Sequence, residues 1–549
     1  MLDLRPIIKD QYTTARVYFL SIVAMLLLES LFQLPQFLIY LRRRGVSHPQ
    51  TKRSKHSTLV RLVHTLRTSP PFLPSFITTH RLPTLLRLFI FLGLNVLFSW
   101  TRLKYTADFK RFGWLCIANG GLALLVSPRG TNLLSLALRV PTHTLLICHR
   151  WCGRATVVHA TIHFALNTRL YIRTDQLSTV FAEPRIKVGI AAFAALGIIF
   201  LTSVALVRRK AFEVFFYIHF LFVVFVVGSC IHAPHGPEFL LPGLGLWVVD
   251  RALRLVSNFR DVGVREVKRY EGGVTKFILE GVEVKSAGLM VWVLFPGVSW
   301  NWHPFTIYPN VTSDMDDPGT SAVIAVRGLG GWTKSVQSIT GSASDSREMG
   351  GKLKIRIDGP YGVGRTTWGS HPITMLVAGG IGITPGIGIM AQIITNAAPR
   401  VARGFLQEWN IHLLWVVKDE SHISWFAEEL TSLAKKAAKL NVTLDITVHV
   451  TGGAPRALPT SRDSYMELVP APSQGEDQMM TAGQSFWTVV PGRPDLTTWF
   501  TGVKAKTPGL GGAVNVCGPR SLVLGTRKAA LKVSSKCGLF HVEEEVFEV

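Results

Sequence analysis

Seven apolar stretches in the first 256 residues constrain this chain more than any other feature: about 17–40, 84–101, 112–131, 142–166, 187–208, 211–233 and 238–255. Each approaches the roughly 20 residues a helix needs to cross the hydrocarbon core of a bilayer. From about residue 260 to residue 549 short apolar runs alternate with Gly, Pro and charge, as in a soluble α/β protein. The expected fold is a multi-domain membrane protein: an α-helical transmembrane bundle followed by soluble domains. The first stretch is too long and too weakly terminated for a cleaved signal peptide and reads as a signal anchor. The net charge of +24 does not point to nucleic acid, because it forms no single patch. Much of it lies in loops such as Arg42–Arg44 and Lys52–Lys55, and basic loops of this kind stay on the cytoplasmic side. That rule puts the 41–68 loop inside, the N-terminus outside and, by odd parity, the soluble half inside. Arg102, Lys104, Lys110 and Arg111 run against it, on the outer side. Cysteines 116, 148, 152, 230, 517 and 537 show neither metal-ligand nor disulfide spacing and read as reduced.

Two of the apolar stretches carry paired histidines. His149 and His163 are 14 residues apart, and His219 and His232 are 13 apart. Histidine is costly in a bilayer, so its presence there marks function. Fourteen residues span about 21 Å of helix, which suits two stacked macrocycles. The topology makes the two helices run the same way, with His149 and His219 near the inner leaflet and His163 and His232 near the outer. Two b-type haems clamped one above the other would form a path for electrons. Thirteen residues do not return to one helix face, so a tilt, kink or bulge is required between His219 and His232. His159 shares a face with His163 but lacks a depth-matched partner, and reads as a hydrogen-bonding residue. His143 and His235 lie at span ends. Arg150 and Arg154 either pair with haem propionates or anchor the span at the interface.

Three segments of the soluble half carry chemistry. His303, Pro304, Phe305 and Thr306 offer a ring, a rigid turn and a hydroxyl for positioning a flavin. They precede Arg327-Gly-Leu-Gly-Gly-Trp-Thr333, where Arg327 supplies charge and glycines such as Gly331, before Thr333, allow close backbone approach to a phosphate, or form an ordinary glycine-rich hairpin. Next, the strand Ile373–Val377 enters Gly379, Gly380, Gly382, Thr384 and Pro385, and a helix-like stretch leaves them, as a phosphate-binding strand–turn–helix requires. The strands Ile411–Val417 and Val442–Val450 follow, implying a parallel sheet. Finally Cys517, Gly518 and Pro519 end a strand that should lie beside the Gly379 turn, where ligands bind in such sheets. Cys517 is either a nicotinamide contact or a small packed residue. Arg493 and Lys418 are candidates for the 2′-phosphate of NADPH, or solvated charges. The stretch 452–484 reads as a flexible insertion.

In this order, with Asp358-Gly-Pro-Tyr-Gly362 between the first and second motifs, the chain resembles the ferric reductase / NADPH oxidase superfamily, most of all fungal ferric-chelate reductases. The resemblance covers roughly residues 110–549 and implies an FAD-binding β-barrel at about 262–366. It also implies a ferredoxin-reductase-like α/β domain binding NADPH at about 370–549. Residues 111–256 would be the haem-binding transmembrane domain, and 1–110 the N-terminal spans and basic loop. It pairs His149 with His219 and His163 with His232, and makes Trp247, Asp250 and Arg251 familial. A C-terminal aromatic often covers the flavin in this family; here Phe547 is followed by two more residues. The implied activity passes electrons from cytosolic NADPH through FAD and two haems to an acceptor outside. A ferric or cupric chelate is the first expectation, superoxide formation from O2 the second and a non-catalytic haem and flavin scaffold the third. The implied partners are membrane lipid and an iron permease or oxidase, in the plasma membrane by default, with endoplasmic reticulum or vacuole as alternatives. His235 and Glu238 are the only outer residues that suggest metal capture.

Overall fold

The computed structural model describes residues 10–44, 64, 82–100, 109–127, 142–298, 301–312, 321–328, 331–339, 353–362, 368–401, 409–440, 442–452, 486–535 and 538–545. The insertion expected at 452–484 lies almost wholly outside them, as do Phe547, Cys537, Arg102 and Lys104. The chain divides into two compact units, one mainly of residues Pro83–Ser257 with the N-terminal helix and one mainly of Asn258–Phe547.

Each of the seven apolar stretches is helical over most of its described residues. They are α1 (Gln11–Arg44), α2 (Leu82–Trp100), α3 (Lys110–Leu125), α4 (Thr142–Arg173), then α5 (Leu177–Ala182), α6 (Pro184–Thr202), α7 (Ala205–Lys210), α8 (Phe212–His219), α9 (Phe222–His232) and α10 (Gly236–Leu253). By length and composition α1 over Gln11–Leu28, α6 and the α8–α9 segment can cross a membrane, and α2 is a shorter apolar helix. The helix that carries His149 and His163 does not stand out this way, because four histidines with Arg150 and Arg154 dilute its apolar character. Small residues let the helices approach closely: a Cβ on Gly243 would lie 2.7 Å from the backbone nitrogen of Leu125. Polar groups add directional ties. Tyr18 Oη donates to Asn119 Oδ1 (2.8 Å), Asn119 Nδ2 to Asn95 Oδ1 (3.0 Å) and Asn95 Nδ2 back to Tyr18 Oη (2.8 Å). This closed ring satisfies its members away from water and joins α1, α2 and α3.

The second unit opens with a closed antiparallel barrel of β1 (Phe259–Tyr270), β2 (Val274–Glu280), β3 (Met290–Leu294), β4 (His303–Pro309), β5 (Ser321–Arg327) and β6 (Lys354–Tyr361), in the order β1-β2-β5-β4-β3-β6. Alternation sends Phe277, Ile307 and Ile324 into the barrel core. It sends Ile278, Tyr308 and Val323 outward into a second core shared with the α/β layer. The helix α11 (Gly331–Ile339) follows β5. A parallel sheet comes next: β7 (Ile373–Gly379), α12 (Thr384–Val401), β8 (Trp409–Val417), α13 (Ala427–Ala438), β9 (Val442–Val450), β10 (Thr488–Pro491), α14 (Leu496–Lys506), β11 (Gly512–Cys517), α15 (Arg520–Val533) and β12 (Phe540–Glu544). Its order is β10-β9-β8-β7-β11-β12, so the winding reverses between β7 and β11. Gly380–Pro399 is also apolar enough to cross a membrane, but 67% of it is buried against this sheet and the barrel, which accounts for its composition. A buried ion pair, Lys276 of β2 with Glu429 of α13, ties barrel to α/β layer, and Tyr308 Oη donates to the same carboxylate (3.3 Å).

Candidate functional site

The four histidines of the first unit form two facing pairs. The rings of His149 and His219 have centroids 6.0 Å apart, and those of His163 and His232 6.4 Å apart. Pairing in ascending order makes α4 and the α8–α9 segment parallel. Two imidazoles on opposite sides of one metal, each bond about 2 Å and each centroid about 1 Å behind its nitrogen, stand about 6 Å apart. Both pairs have that opening. Three of the rings are also oriented from behind. Nδ1 of His149 donates to the Ala123 carbonyl (2.9 Å), that of His163 to Phe109 (3.2 Å) and that of His232 to Arg185 (3.1 Å). Such bonds hold the ring proton on Nδ1 and leave the Nε2 lone pair for a metal. Glycines make room behind the rings of the second pair. A Cβ on Gly113 would lie 2.8 Å from His163 Cε1, and one on Gly189 2.5 Å from His232 Nδ1. These donors fit a ligand that brings its own equatorial atoms, such as haem. Among the described residues no group of three or more His, Cys, Asp or Glu is placed to hold a bare metal ion.

The 13-residue spacing is resolved by a break in the helix. The segment between α8 and α9 winds through tight turns, with Leu221 N donating to Ile218 O (2.9 Å) and Val223 N to Phe220 O (3.0 Å). An α-helix advances about 100° per residue and a 3₁₀ turn about 120°, so tight winding recovers part of the rotation that 13 residues lack. His159 is engaged within the protein: Nδ1 lies 2.9 Å from the Ala155 carbonyl and Nε2 3.1 Å from Ser99 Oγ. Arg154 stacks on Trp151, 4.5 Å from its ring centre, and Arg251 on Trp247 at 5.4 Å. Asp250 is fully buried.

In the second unit His303, Pro304, Phe305 and Thr306 open β4, on the barrel's rim. Trp332, which the motifs did not single out, stacks on His303 with centroids 3.6 Å apart and lies 6.1 Å from Phe305. Gly331 and Thr333, expected in a glycine turn, begin the helix α11 beside it. The Arg327 guanidinium reaches the other motif: a Cβ on Gly380 would lie 3.3 Å from its Nη1. Asp358 is buried on β6, and Tyr361 Oη donates to it.

Gly379 ends β7, Gly380–Ile383 form a 3₁₀ turn, and Thr384 and Pro385 start α12. Ala378 and Cys517 are paired across the β7–β11 ladder, so the two motifs meet where the winding reverses. The fit is close: a Cβ on Gly382 would lie 2.6 Å from the Cys517 carbonyl, and one on Gly379 2.8 Å from Pro519 Cδ. Burial pushes the Cys517 thiol up to about 12, so it is protonated at neutral pH. Glu545, just after β12, was hidden in the run Glu543–Glu545. Burial raises its carboxyl to about 7, although Asn515 Nδ2 donates to it at 3.3 Å. Strand alternation in Phe540 and Val542 was the available signal that this tail turns inward. Lys418 and Arg493 are exposed at the carboxyl ends of β8 and β10. Arg493 is three strands from β7, about 14 Å.

Three family models match the chain: a ferric reductase like transmembrane component over residues 112–230, an FAD-binding domain over 276–365 and a ferric reductase NAD binding domain over 372–531. The first ends two residues before His232. Among curated proteins, ferric reduction oxidase 8 of Arabidopsis thaliana is 27% identical over 306 residues, 54% of this chain and 41% of that protein. Ferric reductase transmembrane component 6 of Saccharomyces cerevisiae is 22% identical over 79% of this chain and 60% of its own length. NADPH oxidase 3 of Homo sapiens is 22% identical over 61% and 64%. The matches thus span less than two thirds of each of these relatives.

Proposed function

We propose that the chain, matched by ferric reductase family models, is a member of the ferric reductase and NADPH oxidase superfamily and carries electrons across a membrane from NADPH to a ferric or cupric chelate. The observation that carries this reading is the pair of imidazole gates, 6.0 and 6.4 Å wide. In it, His149 and His219 hold one b-type haem and His163 and His232 the other. Haem iron supplies one-electron redox chemistry, and FAD links it to two-electron hydride donors. The protein's part is orientation. Backbone carbonyls of Ala123, Phe109 and Arg185 fix the ligand rings, and Arg150 with Arg154 pairs the propionates. With both imidazoles of each pair engaged as ligands, the haems would supply electron transfer alone, and the acceptor would be reduced without binding to iron.

His303, Pro304, Phe305 and Thr306 seat the flavin, Arg327 faces its phosphates, and Gly331 and Thr333 complete the site. Gly379, Gly380, Gly382, Thr384 and Pro385 present backbone N–H groups to the NADPH pyrophosphate. Cys517, Gly518 and Pro519 border the nicotinamide, and Lys418 and Arg493 take the 2′-phosphate. The FAD and NADPH side is cytosolic, the membrane is the plasma membrane, and an iron permease or oxidase is the partner class. Likeness to an NADPH oxidase supports a second reading, in which O2 is the acceptor and superoxide the product.

Removing one gate tests the assignment. His163→Ala or His232→Ala should lower haem from two to one per chain while NADPH still reduces FAD at the wild-type rate. Full haem content in either variant would overturn it.

A further inference from the structure

Arg327 closes β5 at the end of the barrel, paired with Val274 of β2. To serve a flavin phosphate it needs only its charge and reach. The structure also gives it a fixed bed: its guanidinium carbon lies 5.1 Å from the centre of the Trp425 ring. Within about 6 Å of a ring centre a guanidinium is attracted to the aromatic face. Trp425 belongs to the α/β layer, where it ends the 3₁₀ turn Glu420–Trp425 between β8 and α13, and it is fully buried. The indole is itself held. Its Nε1 donates to the Glu271 carbonyl in the β1–β2 turn (2.6 Å), and the His422 ring stacks on it with centroids 4.0 Å apart. Gly272, at φ +78°, makes room for it: a Cβ there would lie 2.9 Å from Trp425 Cζ2.

The guanidinium reaches the nucleotide turn from this bed. Nη1 of Arg327 sits 3.3 Å from the position a Cβ would take on Gly380, in the turn between β7 and α12. Trp415 Nε1 holds the same turn from β8 by donating to the Gly380 carbonyl (2.9 Å). The space a side chain at 380 would fill is where a phosphate comes closest to the backbone. A guanidinium carries five N–H donors in one rigid plane, so it serves two phosphate groups only where that plane is held. Stacking on a fixed indole holds it.

We propose, resting on the nucleotide-site reading above, that Trp425 is a positioning residue: it holds Arg327 against the Gly380 turn, so that this guanidinium binds the pyrophosphate of NADPH as well as the phosphates of FAD. Pyrophosphate is common to NADPH and NADH. Trp425 therefore sets the affinity for both nucleotides and not the choice between them, which falls to Lys418 and Arg493.

The test uses full-length, haem- and FAD-loaded protein in nanodiscs and follows FAD reduction by NADPH and, separately, by NADH in anaerobic stopped flow. Trp425→Leu should raise the half-saturating concentration of both nucleotides about tenfold, with the limiting rate and the FAD content of the wild type. Trp425→Phe, which keeps an aromatic face, should restore most of the affinity. Arg327→Lys keeps the charge and loses the planar fork, so it should weaken both nucleotides as Trp425→Leu does. The double variant Trp425→Leu/Arg327→Lys should be no weaker than Arg327→Lys alone, because the indole acts through the guanidinium. An unchanged half-saturating concentration in Trp425→Leu overturns the proposal. So does a change confined to NADPH, or loss of FAD with nucleotide affinity intact. Should Trp425→Leu fail to fold, Arg327→Lys decides, and wild-type nucleotide affinity in that variant overturns the proposal. If neither nucleotide reduces FAD in the wild type, the nucleotide-site reading itself fails, and the proposal falls with it.

Discussion

In the proposed haem sites, His149, His163 and His232 depend on what lies behind each ring as much as on the ring itself, and His219 completes the set. A histidine near the middle of an apolar helix is expensive unless something uses it. Here the Nδ1 of three of them is already committed to a backbone carbonyl. Glu545 shows the same economy in the second unit, as a carboxyl whose charge is opposed by burial. Its folded pKa of about 7 lies above the ordinary 4.5, so the folded state holds its proton more tightly than the unfolded state. Stability from this group is full below about pH 4.5 and is lost as pH rises through 7, on the order of 3 kcal/mol in all. Thermal denaturation of the full chain between pH 5 and 8 checks this. Glu545→Gln should flatten that part of the profile, and an unchanged slope would assign it to other groups. Arg493 gives a sharper test of cofactor choice. Arg493→Ala should raise the KM for NADPH about tenfold or more and leave that for NADH alone. An unchanged ratio would move the 2′-phosphate site elsewhere.

At the scale of elements, the helices of the first unit and the Gly379 turn were legible, because apolar length and a strand running into Gly379 are local signals. What was not legible depended on neighbours. The 13-residue gap between His219 and His232 announced a distortion, yet nothing in its apolar residues located it. The tight turn at 220–221 contains no proline or glycine. Trp332 looked like one residue in a glycine-rich loop, and only the approach of α11 to β4 puts its ring on His303. Nothing in the sequence sets Lys276 apart, and only the packing of α13 supplies its partner Glu429. Gly113 and Gly189 passed unremarked for the same reason, since their use is to leave space for a ring on another helix. Gly189→Ala should push the His232 ring aside, and spectroscopy should find one haem lost with the helical content of the protein intact. Retention of both haems would mean that α6 does not set that ring's position.

For the whole molecule, three chemistries lie in series along one chain: a bundle with two imidazole gates, a barrel with an aromatic rim, and a parallel sheet whose winding reverses at Cys517. The order matches a path from nicotinamide to flavin to paired haems, and composition alone would have missed part of it. α4 carries two of the four gate histidines yet is among the less apolar helices, while α12, at the heart of the sheet, is apolar enough to be mistaken for a span. The most direct measurement reconstitutes the full-length protein in sealed vesicles, with NADPH added outside and ferric citrate enclosed. For molecules whose second unit faces outward, ferrous iron should form inside, two per NADPH consumed, and at the same rate without oxygen. Iron that stays ferric while NADPH is oxidised, or reduction that disappears when oxygen is removed, would contradict electron transfer to a metal chelate.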